Sequence, residues 1–456
     1  MLAKAAIQAL SQVLSPHQVI PQDTDEFQVL NGSYRSALQS DITPACIIRP
    51  SSTEDVVTFL RTIHPFVDRG EVAFAIRGAG QQPAPGCSNI QDGITLDLGL
   101  LTEIEVKEGH VSIAAGERWG SVYEKLDVAG LAVTGARSSR GGIGGLALQG
   151  GLSFFSSREG FICDNVVNYE IVLASGEVIQ ANAHENPDLW IALRGGANNF
   201  EIVTRYDMRT FPQGRFWGGS VYYFEPSFPS QMEALVTEVQ KPDATEETHL
   251  MISIGYAAQF GQTMCQNQVY YTQNVEKPAV LEPFTAIEPQ VDQLNSMRLQ
   301  SLKEAASEQA SVAMDQLRCA YMNITVQADV ETLQTASQVY TSAIEPKSAE
   351  HGGSSLGLEA VNGPVVSVLL LTYWKNRSDD EQVLGTMRGV LERIEEAVES
   401  RGQSVPFRFM NYSCTFQDPI ASYGPENKQR MQNVSRKYDP KGMFQKGVPG
   451  GFKLFN

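Results

Sequence analysis

The chain has 456 residues, too many for one ordinary core, so two domains or lobes are expected. Hydrophobic residues make up 42% and charged residues 19%, which is ordinary for a soluble globular enzyme. A formal net charge of −17 argues against a nucleic-acid partner, because such proteins need basic stripes to neutralise phosphates.

No apolar run reaches the length of a membrane span. The first fourteen residues are amphipathic, with Ile7, Leu10 and Leu14 on one helical face and Gln8 and Gln12 interrupting any signal-like core. This predicts a cytoplasmic protein from the sequence as given, or a secretory or vesicular one if the start is processed. The six cysteines (Cys46, Cys87, Cys163, Cys265, Cys319 and Cys414) form no C-x-x-C pair, so no common zinc or redox motif is present and no metal is expected. Their disulfide state stays open.

From Ile42 to Pro212, short apolar runs alternate with glycine-rich turns. Val72–Ile76, Ile94–Leu98, Val111–Ala115 and Tyr169–Ala174 read as strands. Ser52–Arg61 reads as a helix with a polar cap and early acids. From Phe216 to about Pro406 the strand candidates lengthen, at Gly219–Phe224, Leu250–Tyr256 and Val365–Tyr373, with a helix from Glu381 to Glu399. The last of these strands is apolar and is expected at a sheet centre. These patterns predict an α+β protein whose second lobe is an antiparallel sheet covered by helices. A tail rich in aromatic residues and glycine follows Pro406.

Three segments carry candidate chemistry. In Arg77-Gly-Ala-Gly80, small residues let backbone N–H groups converge on one spot beside an arginine. That suits a pyrophosphate, and equally a plain tight turn. The run Gly141–Gly151 contains Gly142-x-Gly144-x-x-Ala147, with Asp164 about twenty residues on, a superficial dinucleotide fingerprint. It lacks a strand leading into the turn, and Gly150 and Gly151 would break the required helix. The glycines are better explained by backbone lying close against a flat ligand. The third segment, Asn186–Thr204, reads as a short helix, a glycine turn and a strand.

Taken in order with Cys163-Asp-Asn-Val-Val167, Asn186-Pro-Asp-Leu-Trp190 and Gly195-Gly-x-Asn-Asn-Phe200, these segments resemble the PCMH-type FAD domain of the vanillyl-alcohol-oxidase superfamily. The berberine-bridge-enzyme-like oxidoreductases, and their fungal secondary-metabolite members, are the most similar branch. In the tail, Asn411-Tyr412, Gln417–Ile420, Tyr423–Asn427 and Lys437–Pro440 fit the same pattern, so the resemblance runs from about Phe27 onward.

The resemblance implies a lead-in over residues 1–41, an FAD-binding domain over 42–212, a substrate lobe over 213–405, and a segment over 406–456 that returns to the FAD site. It implies that Arg77, Gly78, Ala79, Gly80, Gln81 and Gln82 cradle the pyrophosphate. Gly142, Gly145 and Leu146 would lie along the flavin ring, Ile202 by the adenine, and Asn411 at the flavin. Many members bind flavin through a histidine at the position of Gln81, and some through a cysteine at that of Ser138. An amide is not nucleophilic and serine is no substitute, so FAD is expected to be non-covalent; Cys163 lies too far on to serve.

The mechanism implied is proton removal from a small organic metabolite, hydride transfer to flavin and reoxidation by O₂. The base is not identified; Tyr412, Tyr223 and Tyr373 are candidates, with Glu359 a further one. His64, His184 and His249 read as surface or turn residues. A redox-neutral cyclase with structural FAD, and a cofactor-free binding protein, are the alternatives.

Overall fold

The computed structural model describes residues 3–257, 260–311, 317–335, 340–344, 351–358, 361 and 363–455. Its strands form three sheets. The first contains β1 (Val19–Pro21), β2 (Cys46–Ile48), β3 (Phe74–Arg77) and β4 (Ile94–Asp97) in the order β1-β2-β4-β3. The β2–β4 and β3–β4 pairs are parallel, with the helix Thr53–Asp68 crossing between β2 and β3. That helix begins in a capping box. Asp55 N–H donates to Ser52 Oγ, and Ser52 N–H donates to the Asp55 carboxylate. Its apolar face, Val56, Phe59, Leu60, Ile63 and Val67, is buried, and Phe59 meets Phe74 of β3 edge to face at 5.4 Å.

The second sheet comprises β5 (Ile104–Lys107), β6 (His110–Ala114), β7 (Leu131–Val133), β8 (Val166–Val172), β9 (Val178–Asn182) and the long β10 (Ile202–Pro212). Its order is β5-β6-β10-β8-β9, and β7 pairs with the end of β10. The two glycine-rich turns leave from these sheets, one after β3 and the other between β7 and β8.

The third sheet is wholly antiparallel. It contains β11 (Phe216–Phe224), β12 (Thr248–Ala257), β13 (Gln262–Tyr271), β14 (Arg298–Gln300), β15 (Arg318–Gln327), β16 (Tyr340–Ile344), β17 (Val365–Trp374) and β18 (Ser404–Val405), in the order β14-β11-β13-β12-β16-β17-β15-β18. The apolar β17 lies inside this sheet between β16 and β15. The helices Phe228–Val239 and Asp380–Ser400 cover one face, where Val366, Val368, Leu370, Leu391 and Val398 share a core. The opposite face is left for something else.

The described part of the segment expected as a lead-in, residues 3–41, is built into the first lobe. The helix Ala3–Val13 packs on Thr53–Asp68, and β1 completes the first sheet. At Ser36, the hydroxyl donates to Cys319 O and accepts from Cys319 N–H, tying this segment to β15 as well. The tail crosses back over both lobes. Asn323 on β15 donates to Phe409 O and Ser413 Oγ and accepts from Phe409 N–H, and Asn199 donates to Phe452 O. A fully buried Arg194 locks the junction: its guanidinium donates to His351 O, Gly353 O and Val166 O and stacks on Trp190 at 3.6 Å. Among the described residues no helix is long and apolar enough to cross a membrane.

Candidate active site

The two glycine-rich turns touch. A Cβ on Gly142 would stand 2.5 Å from Ala79 Cβ, so only glycine lets the backbones come this close. A Cβ on Gly145, in contrast, would meet nothing within 4 Å; this stretch of backbone is bare towards a cavity of about 480 Å³. The cavity is bounded by Gly78–Gln82, by Gly142, Gly145 and Leu146, by the start of β10, by the uncovered face of the third sheet, and by the tail. A helix does follow the second glycine turn, over Ile143–Leu148, but it is six residues long and ends before Gly150 and Gly151, both at positive φ. No strand–turn–helix dinucleotide unit is formed.

Gly78, Ala79, Gly80, Gln81, Gln82, Gly142, Gly145, Leu146, Ile202 and Asn411 all reach the cavity wall. Asn411 Oδ1 accepts from Gly151 N–H at 3.0 Å, which pins the tail to the second glycine turn. Gln82 donates to Met410 O, joining the first turn to the same stretch of tail. Gln81 donates weakly to Ala79 O, and Ser138 stands on the wall nearby.

Arg77 does not join them. Its guanidinium turns away into the first lobe, donating to Leu30 O and Ser33 Oγ, lying 3.8 Å over the Tyr34 ring and 3.6 Å from the Asp97 carboxylate. It braces the turn from behind and, unlike the rest of the expected cradle, is not placed to meet a phosphate in the cavity.

The sheet end of the cavity is set by strand parity. Leu369, Leu371 and Tyr373 alternate towards the cavity on β17, joined by Tyr321 opposite Leu371 on β15 and by Gln266 and Gln268 on β13. Tyr373 and Tyr321 both accept from Arg35, at 2.5 and 3.0 Å. Tyr412 accepts from Arg137, which also contacts Met251 Sδ at 3.2 Å, and the Tyr412 and Tyr321 rings lie edge to face at 6.0 Å. Two arginines and three tyrosines thus form one cluster. Neither Arg35 nor Arg137 has a carboxylate partner among the described residues. Burial pushes the Tyr321 phenol well above its ordinary range.

Tyr223 lies on the other face. It pairs with Cys265, one residue out of phase with Gln266, and its hydroxyl donates to Phe284 O at 2.6 Å beneath the helices. It is a core residue and does not reach the cavity, contrary to the role expected for it. His249 is also not a turn residue: it sits on β12, 6% exposed, between Phe154 and Tyr270, and burial drives its pKa well below the ordinary value. His64 lies in the helix Thr53–Asp68, its Nδ1 2.8 Å from Ala174 O, and His184 is exposed. Cys163 is buried away from the cavity, and Glu359 lies outside the described residues.

Sequence reasoning missed Arg35, Arg137, Tyr321 and Glu201. Glu201 is 2% exposed, lines the cavity, and has both carboxyl oxygens without a partner. A glycine-walled cleft of this size fits a large nucleotide cofactor.

A model described as "FAD binding domain" matches residues 44–182. The chain is 34% identical to the "FAD-dependent monooxygenase tpcD" of Cochliobolus heterostrophus, over 93% of this chain and 89% of that protein. It is 32% identical to the "FAD-dependent monooxygenase FUP4" of Fusarium proliferatum, over 92% and 87%. The fold matches the solved structure of "Physcomitrella patens BBE-like 1 wild-type" with a TM-score of 0.78 at 17% identity, covering 99% of each chain. The chain belongs to the fungal FAD-dependent monooxygenase family, on the berberine-bridge-enzyme-like fold, and is an FAD-linked oxidoreductase.

Tyr223→Phe should lower unfolding free energy by about 1 kcal/mol, the value of one buried hydrogen bond. It should leave FAD content and turnover unchanged. Denaturant melts and the flavin spectrum check this, and loss of turnover would return Tyr223 to the site.

Proposed function

We propose that the enzyme oxidises a small, lipophilic, acidic or phenolic metabolite of fungal secondary metabolism, using non-covalently held FAD and O₂. The observation that carries this reading is the Arg35–Tyr321–Tyr373 and Arg137–Tyr412 cluster, facing the same cavity as the glycine walls. When bound, FAD supplies a two-electron acceptor that O₂ can reoxidise.

The side chains divide the remaining work. Leu369, Leu371 and Phe409 exclude water and give a flat apolar substrate its contact area. Arg35 and Arg137, which have no carboxylate partner among the described residues, attract an acidic hydroxyl or carboxylate on the substrate. Tyr412 is the proposed base. As the phenolate it would take the substrate proton and become the neutral phenol, and Arg137, which donates to its oxygen, is placed to offset the phenolate charge before that transfer. Tyr373 and Tyr321 are held by Arg35 and orient the substrate from the sheet side.

Gln81 and Ser138 support non-covalent binding. Both face the cavity, and neither is the histidine or cysteine that a link to the ring would need. Precipitating the holoprotein with trichloroacetic acid should leave the yellow colour in the supernatant; a yellow pellet would show a covalent link. Tyr412→Phe should slow flavin reduction by an oxidisable phenol by a factor of about 10² or more, with FAD affinity kept within about threefold. Stopped-flow bleaching measures this, and a reduction rate within about threefold of wild type would exclude Tyr412 as the base.

A further inference from the structure

Three glutamines stand on the cavity wall: Gln266 and Gln268 on β13, and Gln309 in the helix Leu302–Ser311. Two of them are satisfied within the protein. Gln266 donates to Ser220 Oγ and Gln309 to the Tyr270 hydroxyl, each at 3.1 Å. Gln268 is 7% exposed, and its carboxamide, open to the cavity, has no hydrogen-bond partner among the described residues. An amide buried without a partner costs a folded protein free energy, so one that faces a cavity marks the place of a ligand group.

The corner around it holds a second donor. Gln268 lies directly opposite Met251 in the β12–β13 register, and residues paired in this way on one face bring their Cβ atoms to about 5 Å. Arg137 donates to Met251 Sδ at 3.2 Å through one terminal nitrogen and to the Tyr412 oxygen through the other. A thioether is a weak acceptor, so a better one on a ligand replaces it readily. The Arg137 N–H and the Gln268 N–H₂ therefore share one corner, next to the proposed base. Two donors in one corner suit a carbonyl oxygen, which has two lone pairs and no proton of its own to place.

We propose that Gln268 is a specificity-determining residue that donates, together with Arg137, to a carbonyl oxygen of the substrate. The inference rests on the reading of the substrate as an acidic or phenolic compound, and narrows it to those that also carry a carbonyl group. Leu369 and Leu371, on β17, leave the rest of the substrate in apolar surroundings. Gln266 and Gln309 line the same wall with their donors already engaged, so Gln268 is the glutamine free to answer the carbonyl.

The test pairs two probes of similar shape, 3′-hydroxyacetophenone and 3-ethylphenol, which differ in the carbonyl oxygen. Their dissociation constants are measured anaerobically, by equilibrium dialysis, against full-length holoprotein and its Gln268→Met variant, a near-isosteric change that removes the amide. The variant should bind 3′-hydroxyacetophenone about tenfold more weakly, and 3-ethylphenol within about threefold of wild type. Its FAD content should be unchanged and its thermal melt equal to or above that of wild type, because the amide has no partner in the fold to lose. Equal weakening for both probes, weakening for neither, or a melt several degrees below wild type would each overturn the proposal. Failure of the wild type to bind either probe would overturn the acidic-substrate reading itself, and this inference with it.

Discussion

Two turns of backbone, 77–82 and 141–146, meet at a distance that leaves no room for a side chain at Gly142. That contact joins the first sheet to the second and creates one edge of the cavity. The rest of the molecule is arranged around it. Arg77 holds the first turn from behind through Leu30, Ser33, Tyr34 and Asp97. Asn411 and Gln82 fasten the tail to both turns, which sets Tyr412 in the cavity. A loose tail would misplace both the cofactor wall and the proposed base, which is why Asn323 and Gln417, buried and mutually hydrogen-bonded, matter beyond the sheet they sit on.

The cavity is electrostatically divided. Its sheet end presents two guanidinium groups held by phenol oxygens, and its other walls are largely bare glycine backbone. In a chain of net charge −17, two arginines with no carboxylate partner among the described residues are conspicuous. Their pairing with tyrosine keeps the cation available to a ligand, since a phenol oxygen satisfies one N–H without cancelling the charge.

Much of this was legible in the sequence where local chemistry decides. The glycine turns, the capped helix after Ser52 and the long strand at Val365 are dictated by neighbouring residues, and the structure places each close to where the pattern put it. The choice between Tyr223 and Tyr373 was not legible. Both strands are apolar on each side of the sheet, so alternation could not tell the helix-covered face from the cavity face. Arg77 misled because an arginine beside a phosphate-like turn is ambiguous until its side chain has a direction. Arg35 and Arg137 were invisible for the opposite reason: each acquires meaning only from tyrosines hundreds of residues away.

The central claim is that one cavity brings a redox flavin and a small acidic substrate together. Anaerobic mixing of the holoprotein with a panel of phenolic and carboxylic aromatic metabolites tests it most directly. The account predicts that at least one compound bleaches the flavin absorbance around 450 nm, and that admitting air restores it. Conversion of a compound to product with the flavin band unchanged throughout would contradict it, because the bound FAD would then be only structural.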